Sequence, residues 1–377
     1  MLVPRECRPG ETRVAATPET VRRLSARGCT LQVEQGAGAA SGFDDAAYSE
    51  AGAQLVDPAA EHWGLADVVL AVQAAAIAQQ RQELEALRPG ALLLGLLEPH
   101  GNDSLKQQLE QRRVSAMALE LLPRISRAQT MDVLSSQANI AGYKAVLLAS
   151  AALDRYVPML MTAAGTIQPA RALILGAGVA GLQALATARR LGAVVYVSDV
   201  RAAAKEQVES LGGRFIAPPE QEQKPGESGG YAQQATEAFL AEQRRQLTEQ
   251  LALADMVICT AQVPGRPAPR LIDDAMLQHM RPGSVVVDLA VAQGGNCEGT
   301  VPGESVMRHG VQLIGADALP CTVANHASAL YARNVAALLE HLLEASGGEP
   351  SALQLDLEDP IVSGCLFTHH AAAGAAA

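Results

Sequence analysis

The sequence predicts an α/β protein built as two doubly wound domains joined by long helices. Three observations carry that expectation. Short apolar runs of strand length alternate with helix-patterned stretches in both halves of the chain. Two longer helical patterns, at 135–160 and 321–343, follow those alternating series. The length of 377 residues suits two domains of ~150 residues each with connecting helices.

In the first series, residues 30–34, 68–72, 91–97 and 114–118 read as buried strands. Residues 18–27, 44–51, 77–87 and 102–112 read as the helices between them, with Asn102-Asp103-Ser104 offering capping chemistry at the last. The segment 135–160 reads as one helix long enough to bridge two domains. Strands then recur at 172–175, 194–198, 256–259, 285–288 and 312–314. Residues 321–343 read as a helix whose tail returns to the first domain. The expected domains are therefore 1–134 with 322–377, and 135–321, with a ligand expected in the cleft between them.

Composition excludes several classes. The chain is 49% hydrophobic and 18% charged, so it folds around packed cores, and with only 3% aromatics those cores are aliphatic. Lys+Arg 29 against Asp+Glu 40 gives a formal charge of −11 and no basic stripe, which argues against a nucleic-acid partner. No charge-free apolar stretch is long enough to cross a bilayer, so direct membrane insertion is not expected. Arg5, Glu6, Arg8, Glu11 and Arg13 break up the start of the chain, unlike a signal peptide, so a cytoplasmic protein is expected. The cysteines at 7, 29, 259, 297, 321 and 365 form no CxxC pair. They read as small buried hydrophobes rather than disulfides or metal ligands, and no metal site is expected. His369 and His370 read as belonging to a frayed Ala/Gly tail.

One segment breaks the alternation. Residues 218–231, PPEQEQKPGESGGY, hold three Pro, three Gly and almost no apolar side chain. Such a stretch is either a solvated surface loop or a lid, since Tyr231 follows a Gly229-Gly230 hinge.

The strongest signal lies at 171–199. The apolar run Arg171–Leu175 leads directly into Gly176-Ala177-Gly178-Val179-Ala180-Gly181, then a helical pattern, then a strand ending at Asp199. In a Rossmann-like dinucleotide site the first glycine permits the tight turn, the second lets the pyrophosphate approach the backbone, and the third lets helix pack on strand. The pyrophosphate then rests on a helix N-terminus. Asp199 can accept both adenosine-ribose hydroxyls, which favours NAD(H) over NADP(H), although Arg201 could accommodate a 2′-phosphate. Thr260 to Gly265 follow the strand 256–259 and should line the same crevice. Asp288 ends another strand and reads either as a ligand contact or as a turn former.

A polar cluster, Arg124, Gln129, Asp132 and Ser135, precedes the long helix. A nicotinamide carboxamide both donates and accepts, so Arg124 and Asp132 are chemically complementary to it. The alternative is plain: Asp132 or Ser135 caps the helix, and Arg124 is a solvated charge.

The stretches PRECRPGETRVAATPE, PRISRAQTMDVLSSQANIAGYKAV, GAGVAGLQALATARRLGA, GGYA, VPGRPAP and DLAVAQGGNCEGTVPGE together span almost the whole chain. In them the sequence resembles the NAD(H)-binding components of proton-translocating nicotinamide nucleotide transhydrogenases, and more distantly alanine dehydrogenases. The resemblance implies that Arg124, Ile125, Ser126, Gln129, Asp132 and Ser135 form the loop holding the nicotinamide ring, with Gln129 reaching the second nucleotide. It implies that Gly176, Ala177, Gly178, Val179, Gly181, Asp199, Val200 and Arg201 contact the phosphates and adenosine ribose. It also implies that Gly230 and Tyr231 belong to a loop closing over NAD(H), and that Gln243, Thr260 and Gln262 are nucleotide contacts. Gln262 departs from the family, where that position is usually apolar.

The implied reaction is reversible hydride transfer between NAD(H) on this chain and NADP(H) on a partner component. Membrane-spanning partner subunits would couple it to proton translocation and attach the chain peripherally to the inner membrane. A homodimer is expected by resemblance alone. Two other readings compete. An alanine-type amino-acid dehydrogenase would need a lysine after the strand 68–72 and a histidine after the next, yet Ala71 and Gln73 stand at the first and Leu96-Leu97-Glu98-Pro99 at the second. No lysine precedes Lys106, although His100 is close by and Arg13 suits both branches. A non-catalytic NAD(H) sensor would keep the glycine turn and Asp199 without needing the loop 124–135.

Overall fold

The structure, a computed structural model, describes residues 1–370 except 59, 81, 220–236, 264, 346 and 348–354. It divides into two compact units, Met1–Gln137 with Pro320–Ala377, and Ala138–Leu319. Both are α/β with mainly parallel sheets, so the fold is the doubly wound, Rossmann-like class expected.

The first unit alternates β1 (Leu2–Val3), α1 (Pro18–Ser25), β2 (Gln32–Glu34), α2 (Asp45–Glu50), β3 (Gln54–Val56), α3 (Ala60–Leu65) and β4 (Val68–Leu70). It continues through α4 (Ala74–Gln80), β5 (Leu92–Gly95), α5 (Asp103–Gln111) and β6 (Ser115–Ala118). These six strands run β6-β5-β4-β1-β2-β3, all parallel, reversing direction of growth between β1 and β4. α1 shows why such elements start where they do: Pro18 opens it, and Thr17 and Thr20 exchange side-chain and backbone bonds as a capping box. Val21 and Leu24 on its buried face join Leu31, Val33, Leu70 and Leu94 in one core.

α6 (Val133–Ala152) carries the chain from the first unit into the second. The second unit holds a hairpin, β7 (Leu160–Thr162) and β8 (Gly165–Ile167), then β9 (Arg171–Leu175), α7 (Val179–Arg190), β10 (Val194–Ser198), α8 (Ala204–Ser210) and β11 (Arg214–Ile216). α9 (Glu237–Leu251), β12 (Met256–Cys259), α10 (Asp274–Leu277), β13 (Val285–Asp288), β14 (Ser305–Arg308) and β15 (Val311–Gly315) complete it. The strand order is β11-β10-β9-β12-β13-β15-β14, parallel but for the antiparallel edge strand β14. Strands β9, β12 and β13 are apolar runs because helices and turns bury both faces of the sheet. The chain then returns to the first unit in α11 (Ala324–Ala345), α12 (Pro360–Cys365) and β16 (Leu366–Thr368).

Several expectations need correction. The helix expected over 135–160 ends at Ala152, and Pro158, which cannot donate and disfavours helix at Val157, keeps it from resuming. The residues beyond it form the β7–β8 hairpin. The helix expected over 77–87 is α4, starting earlier, followed by a separate 3₁₀ turn at Gln82–Ala86. Asn102 stands at the N-cap of α5 without capping it, since its amide donates instead to the Leu97 carbonyl at 3.1 Å. His370 is not frayed: its amide donates to Ser115 Oγ at 3.0 Å, next to β16, which pairs antiparallel with β6. Among the described residues, Cys29, Cys259, Cys297, Cys321 and Cys365 are buried, and Cys7 is partly exposed.

Candidate functional site

The second sheet brings the expected Gly176, Asp199 and Thr260 to its carboxyl end. Parallel register sets Leu175 level with Ser198 and Cys259, and Cys259 level with Asp288. The residues that leave those strands, Gly176, Asp199, Thr260 and Leu289, therefore emerge together at the carboxyl end of the sheet. Strand order reverses between β9 and β12, which is where doubly wound folds hold ligands.

The glycine turn does three separate jobs. Gly176 has φ +104°, a conformation that side chains resist. Gly178 is the N-cap of α7, with no capping side chain and open space where a Cβ would stand. Gly181 lies so close to the Gly176 carbonyl that no side chain fits. Ala177 is buried, whereas Val179 is 42% exposed at the start of the helix. An uncapped N-terminus under open space fits the diphosphate of a dinucleotide.

Asp199 is held from both sides. Its Oδ2 accepts from the Ala177 amide at 2.7 Å and from Arg201 Nη2 at 2.9 Å. Its Oδ1 accepts from the Arg201 amide at 2.8 Å and Arg201 Nε at 2.9 Å. Burial pulls its pKa upward, but the bonds from Arg201 and Ala177 outweigh burial and hold the carboxyl below its ordinary value. Val200 between them is exposed.

Across the reversal point, Thr260 Oγ1 lies 3.0 Å from the carbonyl oxygens of both Leu175 and Gly176, tying β12 to the glycine turn. Gln262 is exposed and donates to the Leu289 carbonyl at 2.8 Å. Sequence reasoning missed Asn296. Fully buried, it accepts from the Ala261 amide at 3.0 Å and donates to the carbonyls of Ala261 and Pro269, each at 2.8 Å. Asp288 proves to be a turn former. Also fully buried, it accepts from the amides of Ala290 and Cys297 and from the Thr300 hydroxyl.

The segment 124–135 belongs to the first unit. Ser126–Met131 form a 3₁₀ turn anchored by buried Ala128 and Met131. Asn334 donates to the Thr130 carbonyl at 2.7 Å, fixing the turn to α11. Arg124, Ile125, Ser126 and Gln129 are left exposed. Asp132 accepts from the Ser135 amide at 2.9 Å and from the Ser135 hydroxyl at 2.6 Å, so it does cap α6. Capping leaves the carboxylate only partly buried, with acceptor capacity to spare.

The same unit shows what surrounds Arg13. The Glu11 carboxylate grips it from Nε at 2.8 Å and Nη2 at 2.6 Å, and Gln137 accepts from Nη1 at 3.0 Å. Gln73, after β4, donates to Glu11 at 3.1 Å. Nearby, Glu6 accepts from the amides of Val72 and Gln73 at 2.7 and 3.1 Å. Of the remaining expected residues, Gln243 lies on α9, partly exposed. Gly230 and Tyr231 lie outside the described residues.

Two doubly wound units, one with a glycine turn facing an acidic strand end, define a class of nucleotide-binding α/β protein. The chain belongs to the alanine dehydrogenase/PNT family, whose N-terminal domain matches residues 2–141 and whose C-terminal domain matches 145–373. It is 46% identical over 374 residues to a chain of Rhodospirillum rubrum that forms the first portion of NAD(P) transhydrogenase subunit alpha, covering 99% of this chain and 97% of that one. The crystal structure of transhydrogenase from Sinorhizobium meliloti matches with a TM-score of 0.86 at 43% identity, over 98% of both chains. Alanine dehydrogenase of Bacillus subtilis is 30% identical over 299 residues, 78% of this chain and 71% of that one. No helix among the described residues is long and apolar enough to cross a membrane.

Proposed function

We propose that this chain is the NAD(H)-binding component of a proton-translocating nicotinamide nucleotide transhydrogenase. The observation that carries the nucleotide assignment is Asp199 at the end of β10, bonded to the amide of the glycine turn. A carboxylate in that place accepts ribose hydroxyls and repels a 2′-phosphate, which favours NAD(H). The near full-length likeness to transhydrogenase alpha chains supports the reaction.

In this reading the unit Ala138–Leu319 is the NAD(H)-binding domain. The uncapped α7 amides beside Gly178 and Val179 hold the diphosphate. Asp199 and Val200 hold the adenosine ribose with Arg201 beside it, while Gln243, Thr260 and Gln262 line the crevice. Gly230 and Tyr231, outside the described residues, belong to the same nucleotide site by resemblance. From the first unit, Arg124 donates to the carboxamide oxygen and Asp132 accepts from its nitrogen, with Ile125 and Ser126 beside them and Ser135 orienting Asp132. Gln129 reaches the second nucleotide. The bound nicotinamide supplies the chemistry, a hydride with its electron pair leaving C4 of NADH for C4 of NADP⁺ on the partner, reversibly. The protein's share is to orient and exclude water: no side chain gives or takes a proton, and the gain comes from bringing the two carbons to ~3–3.5 Å.

Partner subunits would carry the NADP(H) site and the membrane-spanning, proton-coupled machinery, placing this chain on the cytoplasmic side of the inner membrane. A homodimer belongs to the same reading. An alanine-dehydrogenase activity is disfavoured, because Ala71 and Gln73 stand in the stretch where a lysine is needed and Glu11 already occupies two donors of Arg13.

Stopped-flow mixing of NADH on this chain with an NADP⁺ analogue on a recombinant NADP(H)-binding component tests the reading, with pyruvate plus ammonium in parallel. Rapid transfer to the bound analogue alone is the expected result. Oxidation by pyruvate would replace it with a dehydrogenase, and tight NADH binding without either reaction would replace it with a sensor.

A further inference from the structure

The acceptor count of Asp199 has a consequence for which nucleotide the site takes. An ionised carboxylate offers about four acceptor positions. All four are taken here: two by the backbone amides of Ala177 and Arg201, and two by the Arg201 side chain through Nε and Nη2. The adenosine ribose brings two hydroxyl donors on adjacent carbons, a pair much like the Nε and Nη2 of one guanidinium. The backbone donors are built into the turn and cannot leave. The Arg201 side chain is 62% exposed, while that of Asp199 is 7% exposed. The group that must yield to a ribose is therefore the Arg201 guanidinium.

We propose that Arg201 is a place-holder for the ribose diol and, through that role, the residue that sets how strongly this unit rejects a 2′-phosphate. The proposal rests on the NAD(H) reading above and deepens it. With NAD(H), the fork on Asp199 opens and the hydroxyls take its place, at the cost of a charge-assisted bidentate contact. With NADP(H), the displaced guanidinium is already beside the 2′ position, where it pairs with the phosphate and offsets the repulsion from Asp199. Arg201 thus works against NAD(H) affinity and in favour of NADP(H). The bonds from Arg201 also help keep Asp199 ionised in acid.

The test is nucleotide titration of the purified full chain, with NADH and NADPH as the fluorescent probes. Wild type, Arg201→Ala, Arg201→Lys, Asp199→Asn and the Asp199→Asn/Arg201→Ala double variant are compared across pH. Arg201→Ala is expected to bind NADH more tightly and NADPH more weakly, shifting the ratio of the two dissociation constants by at least about tenfold. Arg201→Lys keeps the charge without the fork, and should tighten NADH while retaining some of the NADPH affinity. The acid loss of NADH binding should move to higher pH in Arg201→Ala, a change that a purely structural role would not produce. In the Asp199→Asn background the gain in NADH affinity should shrink. An unchanged NADH-to-NADPH ratio in Arg201→Ala overturns the proposal, as does weaker NADH binding with unaltered NADPH binding. If the wild-type chain binds neither nucleotide, the NAD(H) reading itself fails, and that result is distinct from either of these.

Discussion

The carbonyl oxygen of Gly176 fills the space that a side chain on Gly181 would need. Gly178, between them in sequence, faces open space. The two glycines should therefore fail differently. Gly181→Ala overpacks a rigid contact, costing ~1–3 kcal/mol or more, and should lower the Tm and abolish NADH binding together. Gly178→Ala should leave the Tm within a degree or two while weakening NADH binding at least about tenfold, because its methyl group meets the diphosphate rather than the protein. Differential scanning fluorimetry with a fluorescence titration separates the two. Wild-type affinity in Gly178→Ala would show that the diphosphate lies elsewhere.

Asp132 caps α6 through Ser135, so its two roles can be parted by chemistry. Asparagine caps a helix about as well as aspartate, so Asp132→Asn should change stability by no more than ~0.5 kcal/mol. Its side chain no longer offers two acceptor oxygens, and single-turnover hydride transfer should fall at least about tenfold, the worth of one charge-assisted hydrogen bond. Transfer at the wild-type rate would leave Asp132 as a cap and nothing more.

Two glutamates near β1 should give the first unit opposite pH responses. Burial pushes the Glu6 carboxyl up to about 7 despite bonds from Val72 and Gln73, with Glu11 adding like charge. Because the folded state then holds the proton more tightly than the unfolded chain, stability should decline as pH rises from ~4.5 to about 7 and level off above it. Glu11 runs the other way: burial raises it, but the Arg13 bonds more than offset burial and hold it down to about 2. Its contribution is present above ~4.5 and is lost as pH falls toward about 2. Denaturation midpoints measured across this range should show a flatter slope between ~5 and 7 for Glu6→Gln than for wild type. An identical slope would mean that Glu6 is ionised throughout.

Asp288 satisfies two amides and a hydroxyl in a place without solvent. Asp288→Ala should cost on the order of 3 kcal/mol, since it strands the amides of Ala290 and Cys297 in the interior. A urea midpoint close to wild type would show that water had entered and replaced the carboxylate.

The elements of this fold that could be read in advance are those where both faces of a strand are apolar. Val194–Ser198, Met256–Cys259 and Val285–Asp288 lie where their apolar runs placed them. Edge strands were not legible. Gln54–Val56 and Ser305–Arg308 mix polar with apolar residues because only one side of each is paired and little of it is buried. The glycine turn and Asp199 were visible as spacing, but the fork between Asp199 and Arg201 was not, since adjacency does not specify a rotamer. Asn296 follows two glycines, a local sequence that by itself marks only a turn. Its bonds reach back to Ala261 and Pro269, and no local pattern announces a partner that far away.

The order in which the chain leaves the ribosome is not the order in which its units can close. Ala138–Leu319 is one uninterrupted segment. The core of the other unit needs Tyr331, Leu338 and Leu342 of α11 and Ile361 and Cys365 of α12, packed against residues such as Val3 and Leu24. Its first 137 residues must therefore wait, with apolar surface uncovered, until almost the last residue of α12 has been made. The nucleotide-type unit, second in sequence, is the first that can be completed during synthesis. The stretch left uncovered longest is the one that precedes it in sequence.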